Sequence, residues 1–307
     1  MDFGLKSRSY KLTVVAVAVF AAFGCRGVGV PSPPVETREV HDDLGRAVKL
    51  PLKIDRAISL APSLTEMIFA VGAGDRLVGV TTYCNYPAET AAVEKVGDTQ
   101  TPNIEKIIAL QPQVVFVSTA SQLEAFSRTL NEQGIAVYVT SPKTLDEVFK
   151  NLQQLGDLFG TSETARKLVL DLQGRTSIVW NEFQHVGPGR ASQSPRVFLQ
   201  ISRDPLFTIG KQSFLTELIE KAGGESVTAN VETAYPTISK ETALALNPDV
   251  ILLSDSDDNK EPSDAVKNSP AVKNNRVFRI NADIISRPGP RLVDALEEIA
   301  KDLQSPN

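Results

Sequence analysis

Residues suited to holding a bare metal or a cross-link are scarce in this 307-residue chain, which has two cysteines and two histidines. Cys25 and Cys84 cannot build a disulfide framework, and with His41 and His185 they are too few for a cysteine–histidine zinc site. A directly held zinc or manganese ion would need several histidine and carboxylate ligands converging, and two distant histidines do not supply them. Phosphate chemistry has no foothold either. No G-x-x-x-x-G-K-[ST] run occurs, and Gly72-Ala73-Gly74 lacks the third glycine of a dinucleotide fingerprint. The net charge of −5, with no basic run after Lys11, leaves no footprint for a nucleic-acid backbone. What is present describes a globular protein: 42% hydrophobic and 22% charged residues, with 19 glycines and 19 prolines. Single cores stop growing near 250 to 300 residues, so a chain of 307 residues is expected to form two lobes.

Export is written at the amino end. Lys6, Arg8 and Lys11 precede the apolar run from Leu12 to Phe23, and Gly24-Cys25 follows. Twelve residues of helix rise about 18 Å against a hydrocarbon core of about 30 Å, too short to span a membrane. Residues 1–24 are therefore expected to be a signal peptide. Gly24-Cys25 resembles a lipoprotein signal, in which Cys25 would carry the lipid; Ala22 stands where such signals carry leucine, and a soluble secreted product is the alternative. Residues 25–40 are rich in glycine and proline and suit a tether.

Two segments repeat. Residues 103–118, NIEKIIALQPQVVFVS, match residues 239–254, SKETALALNPDVILLS, at a constant offset of 136. Each copy reads as a polar N-cap, a short helix closed before proline, and an apolar strand buried on both faces. Leu64-Thr65-Glu66 and Leu215-Thr216-Glu217 repeat at an offset of 151. The expected fold is thus α/β: two similar parallel-sheet lobes, residues 41–142 and 196–307, joined by a helical connector over 143–195. Strands are expected near 57–60, 77–80, 114–117 and 136–139, then near 197–200, 250–253 and 277–280, with helices from Ser121 and from Pro290. Ala165, Leu168, Val169, Leu172, Val179 and Phe183 follow a 3.6-residue period, which predicts one long helix over 162–186. A continuous helix between lobes permits only modest closure, because it offers no loop residues to act as a hinge.

In such folds ligands sit at the carboxyl ends of strands and between lobes. The polar-aromatic loops expected there are 81–87, 201–207, 233–236 and 281–288. Three of the five tyrosines lie in two of these short segments; any one of them could instead cap the core. Cys84 reads as a small buried hydrophobe, with a ligand-binding thiol as the alternative. An enzyme or chelatase on the same scaffold would need a nucleophile with a base in reach, such as His41 or His185 beside Asp283, and no local signature supplies one.

The run Asp42-Asp43-Leu44-Gly45-Arg46 with Arg56-Ala57-Ile58-Ser59-Leu60-Ala61-Pro62 resembles the opening of ABC-importer binding proteins of the helical-backbone class. Tyr83-Cys84-Asn85-Tyr86-Pro87, Asn103-Ile104-Glu105, Pro205-Leu206-Phe207 and Ala222-Gly223-Gly224-Glu225 are similar to the cobalamin-binding members of that class. The resemblance implies capture of cobalamin or a related corrinoid outside the inner membrane, without catalysis and without a resident cofactor. An iron-siderophore or haem is the alternative cargo. It further implies that Tyr83, Phe207, Tyr235, Asp283, Ile284, Ile285, Ser286 and Arg287 face the ligand. The partner would be an ABC permease dimer, met by Glu105 and Glu241; each of these acids could equally serve its own helix N-terminus. Tyr235, Thr99, Ser118 and Ile284 stand where cobalamin-binding members carry tryptophan, and Ala222 where they carry a disulfide cysteine.

Overall fold

The computed structural model describes residues 1–2, 36–118, 123–184 and 194–305. The expected signal peptide, Cys25, Ser121 and His185 lie outside the described residues. Two compact units divide the chain, Met1–Pro34 and Val35–Asn307, and the second holds every element below.

A hairpin opens this unit, β1 (Thr37–His41) against β2 (Ala47–Pro51), paired antiparallel from Thr37 with Pro51 to His41 with Ala47. Residues 37–40 are therefore strand and not tether. Val48 and Leu50 of β2 reach the core, and their burial holds the hairpin in place.

The amino-terminal lobe contains β3 (Ala57–Ser59), α1 (Pro62–Ala70), β4 (Leu77–Val80), α2 (Ile104–Ala109), β5 (Val114–Ser118), α3 (Leu123–Glu132) and β6 (Ala136–Thr140). Two helices follow, α4 (Leu145–Phe159) and α5 (Ser162–Gln184). The carboxyl-terminal lobe contains β7 (Arg196–Gln200), α6 (Phe214–Lys221), β8 (Glu225–Ser226), α7 (Lys240–Leu246), β9 (Val250–Asp255), α8 (Pro270–Lys273), β10 (Val277–Asn281), α9 (Ala282–Ile285) and α10 (Leu292–Gln304). Both sheets are parallel, and their orders, β4-β3-β5-β6 and β8-β7-β9-β10, are the same arrangement twice.

The duplication extends to single atoms. Asn103 Oδ1 accepts from the Lys106 amide at 2.9 Å and Ser239 Oγ from the Thr242 amide at 3.1 Å, so the two repeat helices are capped alike. Both copies then turn through a left-handed residue directly before proline, Gln111 at φ 47 and Asn247 at φ 44. Each strand that follows is buried on both faces. Val114 and Phe116 join the main core while Val115 and Val117 face a second cluster with Ile107 and Leu130. In the other lobe Val250 and Leu252 face the main core, Ile251 and Leu253 an outer cluster with Ala243. At about 1.5–3 kcal/mol per buried aliphatic side chain, these strands anchor their lobes.

The main core is continuous through both lobes. It includes Leu64, Met67 and Leu152 on one side, Leu172 and Val179 of α5 between, and Leu215, Leu218 and Leu296 on the other. Helix α5 matches the expected long helix and measures about 34 Å. Helix α4 is an addition: Thr144 caps it, accepting from the Glu147 amide at 3.1 Å, and left-handed Gly160 ends it. Its apolar positions Leu145, Val148, Phe149, Leu152 and Leu155 recur at helical spacing, a signal as legible as that of α5.

Asp302 lies half-buried in the last turn of α10, where burial, and then Glu298, pushes its carboxyl up to about 6. Between its ordinary value of 3.8 and that value the folded chain keeps a proton the unfolded chain has released, so stability falls as pH rises through this window. Urea-unfolding midpoints of Asp302→Asn and wild type should therefore coincide below about pH 4, with the variant more stable above pH 6.

Candidate functional site

One carboxylate joins the lobes. Glu66, on α1, has a side chain only 1% exposed and receives two arginines from the carboxyl-terminal lobe. Arg291 donates through Nε to Oε2 at 2.8 Å and through Nη2 to Oε1, while Arg287 Nη1 donates to Oε1 at 3.0 Å. Arg287 also donates to Asn85 Oδ1 at 2.7 Å, to Asp283 Oδ1 at 2.8 Å and to the Tyr83 carbonyl at 3.5 Å. Asn85 Nδ2 returns to Asp283 Oδ2 at 2.9 Å. Two acids and two guanidinium groups thus form a neutral, hydrogen-bonded cluster between the loop after β4 and the segment after β10. The ion pair with Glu66 holds Arg291 still higher than an ordinary guanidinium, against the opposing effect of burial.

The loop expected after β4 adjoins this cluster. In the loop after β4, Tyr83 is 60% and Tyr86 46% exposed. Cys84 between them points inward, its Sγ 3.1 Å from Thr65 Oγ1 and 3.2 Å from Thr81 Oγ1, so the thiol is a buried peg beneath the tyrosines. Lys95 Nζ binds the carbonyls of Cys84 and Thr90, both at 3.0 Å.

The second aromatic pair is held by backbone. Thr208, Gly210 and Lys211 donate to the carbonyls of Pro236, Ala234 and Val231 at 3.1, 2.9 and 2.8 Å, stitching the Phe207 and Tyr235 segments together. Phe207 is half-buried, and Tyr235 is 46% exposed. Burial of its phenol end raises the Tyr235 pKa, and a hydrogen bond from Ser213 opposes the rise. Gly210 permits the stitch, since any Cβ there would run into the carbonyl oxygens of Thr233 and Val231.

The expected run 283–287 divides. Asp283 and Ile284 are half-buried and Ser286 exposed. Ile285, 3% exposed, belongs to the main core, and Arg287 spends its donors inside the cluster, so neither side chain faces an open surface. Glu105 and Glu241 are both exposed in the first turns of α2 and α7. His41 is exposed on β1, where it pairs with Ala47. Among the described residues no group of three or more histidine, cysteine, aspartate and glutamate side chains converges as a metal site.

Glu66 and Arg291 were not among the expected site residues, and Asn85 and Tyr86 entered only as members of the loop 81–87. The signal for Glu66 was available: it is the one charge within an otherwise uncharged helix, in a motif the chain repeats. Its repeat partner Glu217 also reaches a helix start, accepting from the Leu145 amide of α4 at 3.2 Å.

The described residues thus form two like lobes on parallel sheets, with a long helix between them and aromatic loops at the strand ends. The chain belongs to the periplasmic binding protein family, which it matches over residues 58–284. It is 32% identical over 265 residues to the vitamin B12-binding protein of Vibrio cholerae serotype O1, covering 83% of this chain and 91% of that protein. It is 29% identical to an uncharacterized ABC transporter substrate-binding lipoprotein of Bacillus subtilis, YvrC, covering 94% and 95% of the two chains. The crystal structure of the periplasmic vitamin B12 binding protein BtuF of Vibrio cholerae superimposes with a TM-score of 0.69 at 31% identity, covering 83% of this chain and 98% of that one.

Gly210→Ala should destabilise the protein by about 1–3 kcal/mol, since backbone and not a flexible side chain blocks the added methyl. Gly174→Ala, in α5 with nothing within 4 Å of the added carbon, should stabilise by up to about 1 kcal/mol. Urea midpoints of the two variants measure the difference.

Proposed function

We propose that this protein is the substrate-binding component of an ABC importer, capturing cobalamin or a related corrinoid outside the inner membrane for a permease dimer. In this reading residues 1–24 direct export and Cys25 carries a lipid anchor. The observation that carries it is the mounting of Tyr83, Phe207 and Tyr235 on braced loops of both lobes. An aromatic side chain offers 150 to 250 Å² of contact, and a wall fixed before binding spares the ordering cost that a mobile loop would add. A rigid chelate that brings its own metal suits a site where Asn85, on the Tyr83 loop, stands hydrogen-bonded to Asp283. These hydrogen-bond to amide edges better than they would ligate a bare ion. Similarity to a vitamin B12-binding protein supports the choice of cargo.

Calorimetric titration of the mature protein with cyanocobalamin should give one site per chain, and Tyr83→Ala should weaken it by about 1–3 kcal/mol. Heat at the level of buffer dilution would remove the corrinoid reading, and an unchanged affinity in Tyr83→Ala would remove that residue from the site.

Glu105 and Glu241 are the proposed permease contacts. The repeat places one exposed acid at the same point of each lobe, which suits a partner with two equivalent subunits. Charged rim contacts of this kind steer encounter and set register. Glu105→Lys with Glu241→Lys should leave cyanocobalamin affinity unchanged while uptake into cells falls, further than with either change alone. Normal uptake by the double variant would leave both acids as helix caps.

A further inference from the structure

Tyr86 stands on the same loop as Tyr83, and the opposite lobe holds its ring. The Arg291 guanidinium carbon lies 4.1 Å from the ring centroid, so one face of the ring is covered by a cation. The 46% of Tyr86 that is exposed therefore belongs to its other face and edge. Arg291 is itself fixed, because the two-pronged ion pair with Glu66 sets the plane of its guanidinium. Glu66 has no freedom to follow a moving partner, being 1% exposed and bonded to Arg287 as well.

Resting on the reading of the chain as a solute-binding protein, we propose that Tyr86 is a further ligand-contacting wall, with Arg291 and Glu66 as its positioning residues. An exposed tyrosine without such an anchor samples several rotamers and must be ordered when ligand arrives; this one is ordered beforehand. The cation on one face also draws electron density through the ring. The open face thereby favours an electron-rich conjugated surface or an amide oxygen and disfavours a second cation, which makes Tyr86 selective as well as adhesive. Because the anchor comes from the carboxyl-terminal lobe, this wall is in place only while the lobes hold the spacing seen here.

The test measures affinity for cyanocobalamin, with haemin as a second probe, in wild type, Tyr86→Phe, Tyr86→Ala, Arg291→Gln and the Tyr86→Ala/Arg291→Gln pair. Tyr86→Phe should stay within about twofold of wild type and Tyr86→Ala should weaken binding by about 5- to 100-fold. Arg291→Gln should weaken it by about 2- to 30-fold. The double variant should bind no worse than Tyr86→Ala alone, a coupling that a purely structural arginine would not produce. The Tyr86 ring resonance of carbon-13-labelled protein without ligand should also move in Arg291→Gln. Wild-type affinity in Tyr86→Ala would overturn the wall while the solute-binding reading stands. A full Arg291→Gln defect in the Tyr86→Ala background, or an unmoved resonance, would overturn the positioning role. Wild-type protein that binds neither probe would overturn the cargo reading and the ligand contact together, with the resonance still deciding the positioning.

Discussion

The buried carboxylate of Glu66 is the constraint on which the arrangement of the two lobes depends. Taking a carboxylate and two guanidinium groups out of water is costly, and the cost is offset only where geometry and hydrogen bonding are both good. Here Glu66 is balanced by Arg291 and Arg287, and Arg287 in turn by Asp283 and Asn85, so each charge has a partner. Such a cluster adds little to stability compared with an apolar contact of the same size. What it supplies is register, because its directional hydrogen bonds join Glu66 and Asn85 of one lobe to Asp283, Arg287 and Arg291 of the other. The continuous apolar core provides the adhesion that this polar joint does not.

Duplication and divergence are both visible at that joint. Thr65 and Thr216, equivalent in the repeat, each tie their helix to the residue six positions earlier, Thr65 to Ser59 Oγ at 2.8 Å and Thr216 to the Gly210 carbonyl at 2.7 Å. The neighbouring glutamates have parted. Glu66 takes two arginines, whereas Glu217 takes a helix amide and Lys221 at 3.5 Å. One half of an approximate two-fold thus became an ionic joint and the other a cap. The lobes are alike in topology and unlike in how each is held.

For a member of a solute-binding family, this economy bears on the proposed function. The aromatic loops are fixed from within the protein, by Cys84 and Lys95 under one and by the Gly210 stitch under the other. Rings mounted on such supports lose little freedom on binding. The helix α5, packed on α4 and α10 and tied by Arg175 to Asp294 and Glu297, leaves few residues able to act as a hinge.

Much of this was legible in the sequence, for reasons that are local. A parallel strand buried on both faces must be apolar throughout, and a helix that ends before proline must turn there, so the repeat at an offset of 136 disclosed the two lobes and their common order. The period of α5 and the aromatic loops at strand ends were equally plain. Helix α4 had the same kind of signal, and β1 was hidden by its nearness to a glycine- and proline-rich stretch. The site divides differently. Position beside a strand end picked out the loops, and the resemblance to the helical-backbone class then implied Tyr83, Phe207 and Tyr235 within them, but it gave Ile285 and Arg287 the same standing as Asp283, because one sequence does not tell which side of a short helix faces the core. The partners of Glu66 lie 221 and 225 residues away. No periodicity or motif links positions so distant; only the packing of one lobe on the other decides that a carboxylate on α1 and an arginine at the start of α10 share a charge and, through it, the orientation of Tyr86.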